Sequence, residues 1–135
     1  MQTILDNAAT VAQMFDAFKK GEVDKLLSFM HPRVIWTISG AAPIPYARTY
    51  RGKQDTASFF PEVARAVTFT EFEPEKIVNI DDHTVVSIGH LTAIANETGK
   101  EMKSDWVMLS EFDEEGMLVR FRDYTDTQTV AKAFQ

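Results

Sequence analysis

Two aspartates and a histidine sit inside runs of otherwise strand-forming residues. His90 lies in Val85-Val86-Ser87-Ile88-Gly89-His90-Leu91, Asp105 precedes Trp106-Val107-Met108, and Asp123 lies in Val119-Arg120-Phe121-Arg122-Asp123-Tyr124-Thr125-Asp126. Carboxylates seldom face a core without a partner or a task. If one sheet face gathers all three groups, desolvation and mutual repulsion raise a carboxyl pKa, while the imidazole holds one acid ionised. Such a set can take a proton from carbon and return it elsewhere near neutral pH.

Alternation along a strand decides which residues share a face. In the last run Val119, Phe121, Asp123 and Thr125 form the more apolar set, which predicts Asp123 turned inward. Turns centred on Gly99 and Glu115 set Asp105 near Asp123 across one strand boundary, and His90 near Asp105 across the next. A slip of one residue would turn one of them out. The expected cavity is lined by Trp36, His90 and Asp123, with Tyr46, Phe59 and Trp106 as further substrate walls. Simpler readings stand beside this one. Asp123 would pair with Arg120 or Arg122, His90 would be a hydrogen-bonded core or edge histidine, and Trp36 would be a core plug. Asp105 is divided between cavity and exposed face, and Arg48 and Arg51 suit either an anionic substrate or a solvated loop.

The elements that must position these residues follow from apolar spacing. Val11, Met14, Phe15 and Phe18 recur at helical intervals between an N-cap at Asp6 or Asn7 and a stop at Gly21. A short second helix spans Val23 to Met30, ended by His31-Pro32, and Val34 to Ile38 reads as a strand. Ser39 to Tyr50, with Gly40, Pro43 and Pro45, reads as a long ordered loop. A third helix runs from Gly52 to about Val67, with Pro61 a local irregularity. Thr68–Ile80, Thr84–Ala95, Glu101–Phe112 and Met117–Thr125 then read as an antiparallel meander, and Asp126 caps a terminal helix reaching Phe134.

Composition narrows the function classes. The 135 residues fit one domain, 1–135, able to bury a core without disulfides. A net charge of −6 and a pI near 5.0 argue against nucleic acid and anionic membranes. With no cysteine, thiolate catalysis and cysteine-ligated metal are excluded. Three histidines without His-x-x-x-His or Glu-x-x-His spacing give no metal site. No Gly-x-Ser-x-Gly elbow, phosphate loop or dinucleotide fingerprint is present. The N-terminus has neither a basic start nor an apolar run, and no segment approaches the ~18 apolar residues of a membrane span, so a cytoplasmic location is expected. Helices first and strands afterwards predict an α+β domain whose helices cover one sheet face. Apolar area around Trp106 and Met108 predicts a homodimer through the other face.

The order of elements, together with Phe15 and Phe18, His31-Pro32 before Val34-Ile35-Trp36, Tyr50-Arg51-Gly52 and the closing Val119 to Asp126 run, resembles the NTF2-like superfamily, in particular its SnoaL-like polyketide cyclase and ketosteroid-isomerase-related branch. The resemblance spans nearly the whole chain. It implies a cone of three N-terminal helices on a curved, mainly antiparallel sheet enclosing a cavity. It also implies a cofactor-independent isomerase or cyclase, with no metal, acting on a small hydrophobic carbonyl compound. Asp123 is similar to the acid/base aspartate of the SnoaL-like cyclases, and His90 to its companion histidine, oriented here by Asp105. The limonene-epoxide hydrolases share the Arg-Asp-Tyr closing motif, but the positions of their arginine and second aspartate hold His90 and Thr92. A non-catalytic ligand-binding or dimerisation module of the same fold is the alternative from another class.

Overall fold

A computed structural model describes residues 6–135. Helix α1 (Asn7–Lys20) starts where the Asp6 carboxylate accepts from the Ala9 N–H and ends at Gly21, whose φ of 71° is left-handed. Its buried face carries Val11, Met14 and Ala17. Helix α2 (Val23–Ser28) ends earlier than its apolar spacing predicts, because Met30 is fully buried and already pairs with Leu118 in strand β1 (Met30–Ile38). The segment expected as loop up to Tyr50 closes in a short edge strand, β2 (Thr49–Arg51), antiparallel to β1. Helix α3 (Lys53–Ala66) buries Phe59, Phe60 and Val63 and passes through Pro61 without a break.

Strands β3 (Val67–Asn79), β4 (Thr84–Ala95), β5 (Glu101–Phe112) and β6 (Leu118–Thr125) form the expected meander. The six strands are ordered β2-β1-β6-β5-β4-β3, and β1 lies parallel to β6. That parallel pair brings Trp36 beside Phe121 and Ile38 beside Asp123. Bulges between Phe69 and Glu71 and between Pro74 and Lys76 interrupt the β3 ladder, a geometry that bends a strand and increases its twist. Helix α4 (Thr127–Ala133) is capped by the Asp126 carboxylate accepting from the Thr129 N–H, and Phe134 just beyond it meets the Tyr46 ring edge-on at 6.0 Å.

The core lies between the helices and the inner sheet face. Its tightest point is at Gly89, where an added Cβ would stand 2.4 Å from the Trp106 ring and 2.3 Å from the Glu73 carbonyl oxygen. Only glycine lets Trp106 lie flat there, stacked on Phe72 at 5.3 Å. Trp106 and Met108 both face inward, so the apolar area expected from them on the outer face is carried by other residues. Val107 and Tyr124 are exposed there, next to half-buried Ile88 and Leu109. No helix among the described residues is long and apolar enough to cross a membrane.

Candidate functional site

The inner face of β1 and β6 and the buried sides of α1 and α3 enclose a cavity of about 80 Å³. Its wall is almost wholly apolar, including Trp36, Ile38, Phe59, Phe60, Met108 and Phe121. A smaller cavity of about 40 Å³, lined by Ser39, Tyr46 and Thr125, shares Ile38, Val63 and Phe69 with the first.

Asp123, expected as a lining residue, is not itself part of either wall, but its neighbours are. Its pairing partners are Ile38 on β1 and Met108 on β5, both wall residues, and Thr125, the next inward residue of β6, belongs to the smaller cavity. The residue keeps some surface, but its Oδ1 is buried and has no hydrogen-bond partner among the described residues. Burial alone pushes its carboxyl pKa up to about 7. No arginine answers the charge. Arg120 and Arg122 alternate to the other face, where Glu111 lies 3.7 and 3.8 Å from them, so the expected alternative of an Asp123 ion pair is not formed.

Potential hydrogen-bond donors stand in the walls of both cavities. The indole Nε1 of Trp36 is buried and has no hydrogen-bond partner among the described residues, its ring stacked on Phe121 at 3.8 Å and wedged against Phe59 and Phe60 at 5.7 Å. Tyr46 carries a phenol whose pKa is raised well above its usual range, first by burial and then by the nearby Asp123 charge. Its backbone is held by Tyr50, whose Oη lies 2.8 Å from the Tyr46 carbonyl and 2.9 Å from Glu62 Oε2. Ser39, which sequence reasoning missed, donates its backbone N–H to the Asp123 carbonyl, while its own Oγ is buried without a partner among the described residues. Its position directly after β1 was the available signal.

His90 and Asp105 do not join this group. They pair with each other across β4 and β5, as the turn positions predict, but on the outer face. There His90 Nε2 meets Glu71, Nδ1 lies 3.3 Å from Glu75, and Asp105 is exposed. Glu71 first, then Glu75, raises the imidazole pKa. The physical reason is parity. Near the turn Phe112 pairs with Leu118, but a bulge between Glu111 and Phe112 shifts the register, so Asp123 faces Met108 and Asp105 is turned out. Of the expected walls, Trp36 and Phe59 line the larger cavity and Tyr46 the smaller. Trp106 lines neither: it is packed behind them against Phe15 and Phe72. Arg48 is used structurally, 3.4 Å from Asp55 and stacked 3.7 Å over the Tyr50 ring. Among the described residues no cluster of His, Asp and Glu has the arrangement of a metal site.

Comparison with known proteins gives a consistent picture. A family model described as SnoaL-like domain matches residues 11–121. Among solved structures, an NTF2-like protein of Burkholderia xenovorans is 26% identical, with a TM-score of 0.85 over 96% of this chain and 95% of its own. A proposed polyketide cyclase of Xanthomonas campestris is 17% identical, with a TM-score of 0.74 over 96% and 97% of the two chains. A proposed isomerase of Bacillus subtilis is 16% identical, with a TM-score of 0.77 over 96% of each. No curated protein sequence matches the chain at comparable significance.

Proposed function

The chain belongs to the SnoaL-like family of the NTF2-like fold, and on that premise we propose that it is a cofactor-independent isomerase or cyclase in which Asp123 moves a proton on a small hydrophobic carbonyl compound. The observation that carries the reading is the Asp123 carboxyl group, with Oδ1 buried and unpartnered beside an apolar cavity and a pKa near 7. A general base works best when its pKa lies close to the working pH.

In this reading the Asp123 carboxylate removes a proton from the carbon next to the carbonyl. The electron pair of that C–H bond moves into the C–C bond, and the carbonyl oxygen becomes an enolate oxygen. Trp36 Nε1–H or the Tyr46 hydroxyl donates a hydrogen bond to that oxygen, a donor otherwise left without a partner or kept protonated by burial. Asp123 then returns its proton. Delivered to a different carbon, it completes an isomerisation. If the enolate carbon has instead attacked a second carbonyl of the same molecule, the proton neutralises the resulting alkoxide and completes a ring closure. Either course balances with no other reactant.

The test is hydrogen exchange. Acetophenone, a flat one-ring methyl ketone, incubated with the protein in D2O should lose its methyl protons by NMR faster than in buffer. Binding without any acceleration would instead favour a non-catalytic ligand-binding domain.

We also assign the outer sheet face as a homodimer surface. Val107 and Tyr124 are 39% and 44% exposed on neighbouring strands, and Val107 pairs directly with both Ile88 and Tyr124. Contiguous apolar area of this kind is better covered than solvated.

A further inference from the structure

The larger cavity has a neighbour on the surface. An open groove of about 630 Å³ runs between the C-terminal end of α1, α3 and β3, bordered by Lys19, Gly21, Val23 and Glu73. Groove and cavity share Phe18, Leu26, Phe60, Val63, Phe69 and Phe72, so the same side chains present one side to solvent and the other to the interior. The depressions around His90 and beside Arg65 and Phe134 share no wall residue with that cavity. Phe18 is the hub of the partition. Its ring centroid lies 5.2 Å from Phe72, 5.8 Å from Phe69 and 6.5 Å from Phe60, and Phe18, Phe69 and Phe72 are only half-buried.

We propose that ligands reach the cavity through this groove and that Phe18 determines how large a ligand is admitted, restricting the site to flat, one-ring hydrophobic compounds. The proposal rests on the reading that the cavity beside Asp123 is the ligand site. Rings meeting edge-on or tilted at these distances are held by dispersion and local packing, with no hydrogen bond to break. A turn of the Phe18 side chain therefore opens the partition while the sheet and helices stay in place. Beyond it about 80 Å³ is available and a further 40 Å³ adjoins it, together less than the roughly 150 Å³ void that accommodates benzene, so even a one-ring ligand must press the aromatic walls apart. A second fused ring has nowhere to go unless Phe18 remains displaced. The Lys19–Glu73 ion pair, 3.6 Å apart, spans the groove beside Phe18, so the opening has a polar outer lip and an aromatic inner wall.

Stopped-flow quenching of Trp36 and Trp106 fluorescence, with acetophenone and the two-ring acetonaphthone as probes, tests this. The wild type should bind acetophenone and exclude acetonaphthone. Phe18→Ala should bind both, with acetophenone association faster by about tenfold or more, and Phe18→Leu should fall between. Near-ultraviolet circular dichroism checks that each variant is folded, and Phe18→Leu decides the matter should the alanine variant not fold. Unchanged association and an unchanged size limit in a folded variant would overturn the proposal, as would binding of acetonaphthone by the wild type or failure of acetophenone to bind any of the proteins. The two readings separate cleanly. Faster association in Phe18→Ala alongside full exchange activity in Asp123→Asn sinks only the chemistry, and the opposite pattern sinks only the entrance.

Discussion

Tyr46 and Asp123 approach one another from the Ser39–Tyr50 segment and from β6, and a charge on the aspartate makes the buried phenol still harder to ionise. Tyr46 therefore stays a donor throughout the range in which Asp123 changes from acid to base. Burial pushes the Asp123 carboxyl pKa up to about 7, with no positive partner among the described residues to offset the penalty on its charged form.

Stability should depend on pH accordingly. The folded-state pKa of Asp123, about 7, lies above the ordinary aspartate value of 3.8, so between those values the folded state binds more protons than the unfolded state. Its contribution is complete below about pH 4 and is lost as pH rises through 7. Asp123→Asn removes this dependence. Because the residue keeps some exposure, the variant should be the more stable by on the order of 2 kcal/mol at pH 8, and by much less at pH 4. Denaturant unfolding of the two proteins at both pH values measures the difference.

Gly89→Ala should be strongly destabilising although it adds one methyl group. The new Cβ would meet backbone on one side and the buried Trp106 ring on the other, neither of which moves cheaply. A cost of about 2–3 kcal/mol is expected from overpacking. Denaturant unfolding reads it directly, and a loss below half that size would mean that the Trp106 stack relaxes.

His90→Ala and Asp105→Asn should leave ketone exchange within about twofold of wild type, since neither residue reaches the cavity or a group that does. The histidine change should instead lower stability on the acid side. Glu71 and Glu75 raise the imidazole pKa, so its contribution is present at low pH and fades as pH rises past that pKa. Paired activity and unfolding measurements at pH 5 and pH 8 check both statements.

Much of the fold was legible because apolar spacing and turn residues agree. Asp6, Gly21 and Asp126 mark helix ends, and alternation alone put Phe121, Asp123 and Thr125 on one face, although at the bulged start of β6 the fully buried residue is Leu118 rather than the expected Val119. The site was only partly legible. Met102, Ser104, Trp106, Met108, Ser110 and Phe112 form one buried face of β5, so Asp105, next to Trp106, cannot share it. That parity was readable. The bulge at Glu111 and Phe112 that sets the β5–β6 register was not, nor was the short pairing of Thr49–Arg51 that carries Tyr50 under the Tyr46 backbone.

The homodimer proposed through the outer face makes Val107→Lys a sharp probe. Val107 pairs with Ile88 and Tyr124, and a charge in the middle of that patch should split a dimer without touching the cavity. Light scattering should report about 31 kDa for the wild type, twice the 15.3 kDa chain, and 15.3 kDa for the variant. A wild type that is already monomeric would contradict the assignment.

The most direct measurement is the pH profile of acetophenone methyl exchange in wild type and Asp123→Asn, taken at equal ketone saturation. The wild-type rate should rise through pH 7 as the carboxyl group ionises, and the asparagine variant should fall by about 100-fold or more while still binding the ketone. Equal exchange rates in the two proteins, or a wild-type profile with no inflection near pH 7, would contradict Asp123 as the proton acceptor.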